Sequence, residues 1–409
     1  MPGHRLIPDV RRAEAISDGN PRGGAPDGGP LWQDIRPTRA EIDLEALVGN
    51  AAVVKSLIGD AALLGVVKAD GYGHGAVTVA RALQASPAVA GLCVSLTEEG
   101  FELRGAGITG PLLVMGGIYE NAHAEVAALD LTPVVFDLVD VEAFARCGRP
   151  VGIHVKVDTG MSRLGLRPEK LEAFLDGCAR FPSVRIEGLM THLASADCDP
   201  ELTRVQLARF AAEVPRVAAA ARGRLVLHAA NSAGTLGFPD ARLDAVRPGL
   251  ALFGGGGGGG GLPAEATLRP VLRLRTEVVS LRDLQAGDTV SYGAHFRAER
   301  RTRVATLPVG YADGYPRRLS EHIAGPGTSV LVRGRRCPVI GAVCMDMLMI
   351  DVTALGELVS VGDEVVLIGR QGDEVITAAE LAARAGLVEY EITCGISKRV
   401  PRHVLARGA

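Results

Sequence analysis

The chain has 409 residues, enough for two or three domains at about 150 residues each, and 47% hydrophobic against 22% charged residues excludes a disordered chain. Its 44 basic and 47 acidic residues leave a net charge of -3, without the basic excess of a nucleic-acid binder, so the expected partners are small molecules or copies of itself. No apolar run approaches the roughly 18 residues of a membrane span, and the N-terminus lacks the apolar core of a secretory signal, so a cytoplasmic location is expected.

Residues 1–36 return repeatedly to Gly and Pro, as in Pro21-Arg22-Gly23-Gly24-Ala25-Pro26-Asp27-Gly28-Gly29-Pro30. Such a composition buries too little apolar surface to hold one conformation, and a disordered leader is expected. Residues 37–44 are expected to form a strand that joins the C-terminal domain. From 45 to 253 the sequence alternates short Val/Leu/Ile runs with stretches of helical periodicity. The runs are Leu63–Ala69, Gly91–Leu96, Pro111–Gly117, Leu131–Asp137, Gly152–Asp158, Arg185–Leu193, Leu225–Asn231 and Ala245–Phe253. Continuous hydrophobicity suits strands buried on both faces, and spacers such as Ala76–Gln84, Pro168–Arg180 and Glu201–Ala221 suit crossover helices. Eight such units predict an α/β fold, a (β/α)8 TIM-type barrel.

The glycines Gly254 to Gly261 lack the Gly-Lys-Ser/Thr ending of a phosphate-binding loop. They are read as part of a Gly-rich linker over 254–268. Over 269–409 the texture changes to short strands between turns: Thr276–Leu281, Val304–Pro308, Ser329–Arg333, Cys337–Val343, Met347–Val352 and Glu364–Ile368, with one helix at Ala378–Ala385. This predicts a mostly β C-terminal domain. The seven cysteines are scattered, with no C-x-x-C pair, so they are read as reduced thiols, and no metal site is expected.

Val66-Val67-Lys68-Ala69-Asp70-Gly71-Tyr72-Gly73-His74-Gly75 puts a lysine at the C-terminal end of the first barrel strand, the face where barrel enzymes carry their active sites. Apolar surroundings disfavour the charged amine, and a neutral amine can condense with a carbonyl. A surface lysine at a strand end fits the spacing equally well.

This segment closely resembles the cofactor-lysine motif of alanine racemases, and further segments similar to that family follow in the same order. They are Lys156 through Gly165, Thr191-His192, His228 through Ser232, Arg247-Pro248-Gly249, Val290 through Gly293, Gly310 through Arg317, Cys344-Met345-Asp346, and Tyr390-Glu391 through Arg402. The resemblance covers about residues 38 to 403. It implies pyridoxal 5'-phosphate held on Lys68, which then serves as one of two catalytic bases, with Tyr292 as the other. Removing a proton from one face of Cα and returning it to the opposite face requires two opposed groups. A phenol titrates near 10 in water, and the resemblance assigns help for Tyr292 to His192 and Arg163. Arg247 would hydrogen-bond the pyridine nitrogen. Tyr72, Asn231, Ser232, Gly249, Leu250 and Tyr390 would hold the cofactor, chiefly at its phosphate, with Ser232 as a helix N-cap.

Arg163, Tyr311 and Met345 would meet the substrate, alanine. Tyr292 and Met345 would reach the site from the second subunit of a homodimer. Lys156 matches a lysine that CO₂ can carbamylate, giving an anion that positions Arg163. Supply of D-alanine to peptidoglycan follows by analogy. Competing readings are a broad-specificity or serine racemase, a related decarboxylase, and a non-catalytic cofactor-binding barrel. The decarboxylases carry a substrate cysteine in a Cys-Glu-Ser-Gly-like segment that is absent here, and the cofactor-binding barrel lacks a β domain. Four segments depart from the family pattern: Ser162 replaces a usual glycine, Asp70-Gly71 replaces the commoner Asn-Ala, Gly395-Ile396-Ser397-Lys398 departs from a usual Thr-Ile-Ser-aromatic or Ser sequence, and Phe253 replaces a common tyrosine.

Overall fold

The computed structural model describes residues 35–256, 267–325 and 327–405. The expected leader over 1–36 therefore lies almost wholly outside the described residues, as does most of the linker. Strand β1 (Arg39–Ile42) leads into a helix, Leu44–Ile58, whose N-cap Asp43 accepts from Ala46 N at 2.7 Å. Eight parallel strands then close a barrel: β2 (Ala62–Val66), β3 (Gly91–Val94), β4 (Leu112–Val114), β5 (Thr132–Val135), β6 (Val151–Lys156), β7 (Val184–Met190), β8 (Val226–His228) and β9 (Ala245–Val246). Most of their residues are buried, on both faces, which is why the apolar runs do not alternate. Helices Ala76–Gln84, Pro168–Ala179 and Pro200–Ala220 are among the crossovers.

The barrel strands are shorter than the apolar runs that announce them. Ala245–Phe253 reads as one strand, yet β9 holds two residues and Leu250–Phe253 forms a 3-10 turn. Pro248 has no N–H to give a ladder, so the regular pairing ends there, although its carbonyl still accepts from Val66 N at 2.9 Å.

The remaining chain is mostly β: β10 (Leu272–Glu277), β11 (Ser280–Leu284), β12 (Thr289–Val290), β13 (Phe296–Arg297), β14 (Thr302–Leu307), β15 (Ser329–Val332), β16 (Arg335–Ile340), β17 (Leu348–Asp351), β18 (Glu364–Gln371), β19 (Glu374–Ile376) and β20 (Arg402–Val404). The large sheet runs β11-β14-β17-β16-β15-β18-β10-β1-β20, with β19 beside β18 and β12 paired with β13 apart from it. Strand β1 lies antiparallel to β10 and parallel to β20. The run read as one strand, Thr276–Leu281, is two. Val278 N donates to Asp363 O and Val279 N to Thr306 O, so the chain changes neighbours there, from β18 to β14.

Strand β10 buries Leu272, Leu274 and Thr276 and turns Arg273 and Arg275 to its other face. Both arginines bridge Glu41 of β1 and Glu364 of β18, with Arg275 Nε 2.6 Å from Glu41 Oε1 and Arg273 NH2 2.5 Å from Glu364 Oε1. These opposite-charge cross-strand contacts join three strands in register. All seven cysteines are free thiols, and no helix of the described residues is long and apolar enough to cross a membrane.

Candidate active site

A cleft of about 860 Å³ opens at the C-terminal mouth of the barrel. Strand β2 ends at Val66, earlier than the sequence suggests, so Lys68 opens a short turn, Lys68–Gly73. In that turn Ala69, Asp70, Gly71 and Tyr72 all have positive φ, 53°, 53°, 60° and 54°, one turn of left-handed helix. Each residue with a Cβ costs roughly 1–3 kcal/mol in such backbone, which persists only where its surroundings impose it. Burial lowers the Lys68 amine from its ordinary value and nearby Arg163 adds to the effect, while Glu99 and Cys394 oppose it. The amine is thereby biased toward its neutral, nucleophilic form.

At the end of the turn, a Cβ on Gly73 would stand 2.0 Å from the carbonyl oxygen of Thr393, and Gly73 itself has φ +82°. Thr393 belongs to the helix Glu389–Cys394, which brings Tyr390 and Cys394 to the cleft. Gly73→Ala is therefore expected to lower stability by about 3 kcal/mol. Urea midpoints of the two proteins check this.

Arg247 follows β9 and is buried. Its NH1 donates to His228 Nδ1 at 2.7 Å and its NH2 to Thr191 O at 2.7 Å and Ala229 O at 3.1 Å. Behind it, His228 Nε2 lies 2.7 Å from His154 Nδ1. Guanidinium only donates, so His228 accepts at Nδ1 and passes its own proton, on Nε2, toward His154. Burial, reinforced by Arg247, holds His154 down at about 4 and His228 well below its usual range, so both stay neutral near pH 7. Burial lowers Arg247 only to about 10, leaving it protonated there. Its Nε is buried without a hydrogen-bond partner.

Lys156, at the end of β6, is pushed down to about 8 by burial, then by Arg163 and Arg247. His192 is lowered well below its ordinary value by burial and by Arg247, Lys156 and Arg163. The loop carrying Arg163 wraps on Asp158, whose Oδ1 accepts from the amides of Gly160 at 3.0 Å, Met161 at 2.9 Å and Ser162 at 3.0 Å. Ser162, the departure from the family glycine, has φ 56°.

As long as its amine is unmodified, in CO₂-free buffer, Lys156 gives a testable pH dependence. Between its folded value near 8 and its ordinary 10.5, the unfolded chain binds a proton that the folded chain does not. Stability from this group therefore rises with pH across that window, by about 3 kcal/mol in all. Lys156→Met is expected to remove the rise, which denaturation of both proteins at pH 7.5 and pH 10 measures.

On the opposite wall, the helix Ser232–Gly237 is capped by Asn231, not by Ser232 as the sequence suggests: Asn231 Oδ1 accepts from Gly234 N at 2.9 Å, and its Nδ2 donates to Leu193 O at 3.2 Å. Ser232 Oγ instead accepts from Gly249 N at 2.9 Å and Ala251 N at 3.2 Å, joining the loops after β8 and β9. A Cβ on Gly249 would stand 2.2 Å from the Tyr72 hydroxyl, so only glycine admits that close approach. The Tyr72 ring lies 5.1 Å from Phe253 and edge-on to Tyr390 at 6.4 Å. Burial raises the Tyr72 phenol far above its ordinary value, which keeps it a neutral donor.

Lys68, Tyr72, Arg163, His192, Asn231, Ser232, Arg247, Gly249, Leu250 and Tyr390 thus border one cleft, with Lys156 close enough to interact with Lys68, Arg163 and Arg247. Tyr292, Tyr311 and Met345 do not border it. They are 77%, 41% and 51% exposed and share a separate surface, where Tyr311 N donates to Cys344 O, Ala312 N to Met345 O, and Ser291 Oγ to Ala342 O. Sequence reasoning overlooked the support that His228 and His154 give Arg247, and the place of Met115 and Cys394 on the wall. His154 stands two residues before Lys156 on one strand, the same-face spacing that could have revealed it.

An amine biased to its neutral form at the mouth of a parallel barrel, with an unmatched donor beside it, defines a lysine-dependent barrel enzyme. Comparison with known proteins narrows that class to one family. The profile "Alanine racemase, N-terminal domain" matches residues 42–256, and "Alanine racemase, C-terminal domain" matches 271–404. The alanine racemase of Symbiobacterium thermophilum is 46% identical over 375 residues, 90% of this chain and 97% of that protein. The Streptomyces coelicolor structure superposes with TM-score 0.85 at 32% identity, covering 92% of this chain and 100% of that one. The Bacillus anthracis alanine racemase, solved with bound L-Ala-P, gives 0.83 at 34% identity, with 93% and 97% covered. The chain belongs to the alanine racemase family.

Proposed function

We propose that this protein interconverts L-alanine and D-alanine with pyridoxal 5'-phosphate on Lys68, supplying D-alanine for peptidoglycan. One observation carries the cofactor assignment: Arg247 Nε is a buried donor without a partner, in a cleft that also holds a lysine biased to neutrality. A pyridine nitrogen is an acceptor of the kind that donor lacks. Tyr72, held over Gly249, Ser232, Tyr390 and the backbone at Leu250 fit a phosphate at the other end of such a molecule. When bound, the cofactor withdraws electrons from the substrate amino acid and so weakens its Cα–H bond.

The protein's own groups do the rest. Lys68 takes or returns the Cα proton on one face, and Tyr292 does so on the other. Because Arg247 keeps its proton, it would hold the pyridine nitrogen by donating a hydrogen bond without giving that proton up. Electron withdrawal would then be moderate, which would favour proton exchange at Cα over side reactions. Arg163, Tyr311 and Met345 meet the substrate, and His192 lies beside Arg163 to assist Tyr292. Lys156, with a neutral amine accessible near pH 8, takes up CO₂ to become an anion among the cations and so positions Arg163. An intact mass without one added CO₂, together with density for a bare amine, would refute that modification.

A homodimer is part of this reading. Tyr292, Tyr311 and Met345 are exposed on a single chain and away from the Lys68 cleft, and in this reading they complete the site of the other copy. The deciding experiment supplies the purified protein and pyridoxal phosphate with L-alanine and, in parallel, other L-amino acids, and detects the D-products. D-alanine formation that dominates the panel is the expected result. Comparable turnover of several amino acids would make it a broad racemase, and no D-product would reject racemisation.

A further inference from the structure

Four residues in a row with left-handed backbone do not hold themselves, and the turn behind Lys68 has its own fastening. Within the turn, Gly71 N donates to Val67 O at 2.9 Å and Gly75 N to Asp70 O at 2.9 Å, while Asp70 Oδ1 accepts from Ala76 N at 2.7 Å. The first of these bonds spans the near end, and the other two close the far end. At the near end, the amide of Ala69 next to the lysine donates to a side chain from another barrel unit: Glu99 Oε1, at 2.6 Å.

Glu99 is the third residue of the helix Thr97–Gly105, and its second oxygen accepts from Ser95 N at 2.8 Å and Leu96 N at 3.0 Å, just past the end of β3. One carboxylate therefore ties the left-handed turn after β2 to the loop after β3. Both oxygens are used, each on backbone, and charge-assisted bonds of this kind are stronger than neutral ones.

We propose that Glu99 is a positioning residue for the active site: by clamping Ala69 N to the β3 loop, it imposes the left-handed turn that sets the Lys68 amine and the Tyr72 hydroxyl in the same cleft. The two groups lie four residues apart at opposite ends of the strained segment, so loosening the clamp displaces both. An ordinary capping carboxylate would serve only its own helix. The third bond, to Ala69, reaches out of that helix and gives Glu99 a second task. This inference rests on the reading of Lys68 and Tyr72 as cofactor ligands, but the clamp itself is a statement about backbone.

The test compares wild type, Glu99→Ala, Glu99→Gln and the exposed neighbour Glu98→Ala as full-length proteins with pyridoxal phosphate. Amide deuterium uptake is followed by mass spectrometry, and the cofactor dissociation constant by dialysis. Glu99→Ala is expected to speed uptake in the peptide spanning residues 67–75 about tenfold or more, and to weaken cofactor binding by a similar factor. Peptides from the C-terminal sheet should keep their wild-type rates. Glutamine offers one acceptor oxygen and turns an NH₂ toward the remaining donors, so Glu99→Gln should fall between, and Glu98→Ala should match wild type.

Faster exchange confined to residues 95–105 would reduce Glu99 to a helix cap and overturn the proposal, as would wild-type behaviour of both Glu99 variants. If Glu99→Ala does not fold, Glu99→Gln decides by the same two readings. If the wild type binds no pyridoxal phosphate, the reading of the site fails, yet the exchange rates over 67–75 still decide whether the clamp exists.

Discussion

Lys68→Ala is expected to give a colourless protein whose alanine racemisation falls by at least about 10⁴-fold, since one substitution removes both the covalent anchor and one of two proton-transferring groups. The fold should survive. Lys68 sits on a turn at the rim of the cleft, and its amine is a destabilised cation, lowered by burial and by Arg163, so its removal relieves repulsion with Arg163. Absorbance after exhaustive dialysis, denaturation and coupled D-alanine detection together check the three parts. A protein that stays yellow with the 68 amine gone would refute the cofactor assignment.

Tyr292→Phe separates the two bases. Loss of the phenol oxygen should slow Cα proton exchange from one enantiomer by about 10² to 10⁴-fold, while cofactor binding, which involves other residues, stays near wild type. Deuterium incorporation from D₂O into L-alanine and D-alanine, measured separately, reads this directly. Tyr292 is 77% exposed on one chain, so the deletion leaves no core cavity, and the monomer's stability should hardly change. Mixing the Tyr292→Phe and Lys68→Ala proteins adds a test of the shared site. Heterodimers would contain one cleft with both bases intact, and partial recovery of activity is expected. Unchanged exchange from both enantiomers in Tyr292→Phe would exclude that base.

Much of the architecture was legible because each barrel strand is buried on both faces, which writes an unbroken apolar run into the sequence. Run length was a poorer guide than run identity. Leu63–Ala69 stays apolar into a turn that is left-handed, and nothing in the side-chain pattern marks the change except glycines at 71, 73 and 75. Asp70-Gly71, a departure from the family pattern, becomes intelligible there, since both residues have positive φ. Ser162 shows the reverse: it occupies a left-handed position that glycine would fill without strain. The cleft residues were legible through motifs, whereas Asn231 and Ser232 exchanged their expected jobs because either side chain can cap a helix. Glu99 left no such mark, and His154 only its same-face spacing from Lys156. Glutamate at the third position of a helix announces a cap, and only tertiary structure shows that its other oxygen reaches Ala69. A histidine inside a strand looks like packing until its ring is seen 2.7 Å from a second one.

The position of β1 has a bearing on how the chain assembles. Ala40 and Ile42 are fully buried between β10 and β20, yet β10 is made some 230 residues later and β20 some 360 residues later. At a usual 5–20 residues per second, roughly 20 to 70 s of synthesis separate β1 from its second neighbour. The barrel, whose strands pair with immediate successors except where β9 returns to β2, can form in that interval. The sheet lacks its last strand until β20 arrives. During translation, β1 is an unpaired strand edge at the front of a forming barrel, the kind of surface that invites wrong pairings and chaperone binding. Slow assembly of this sheet, rather than of the barrel, should set the time needed to reach an active protein.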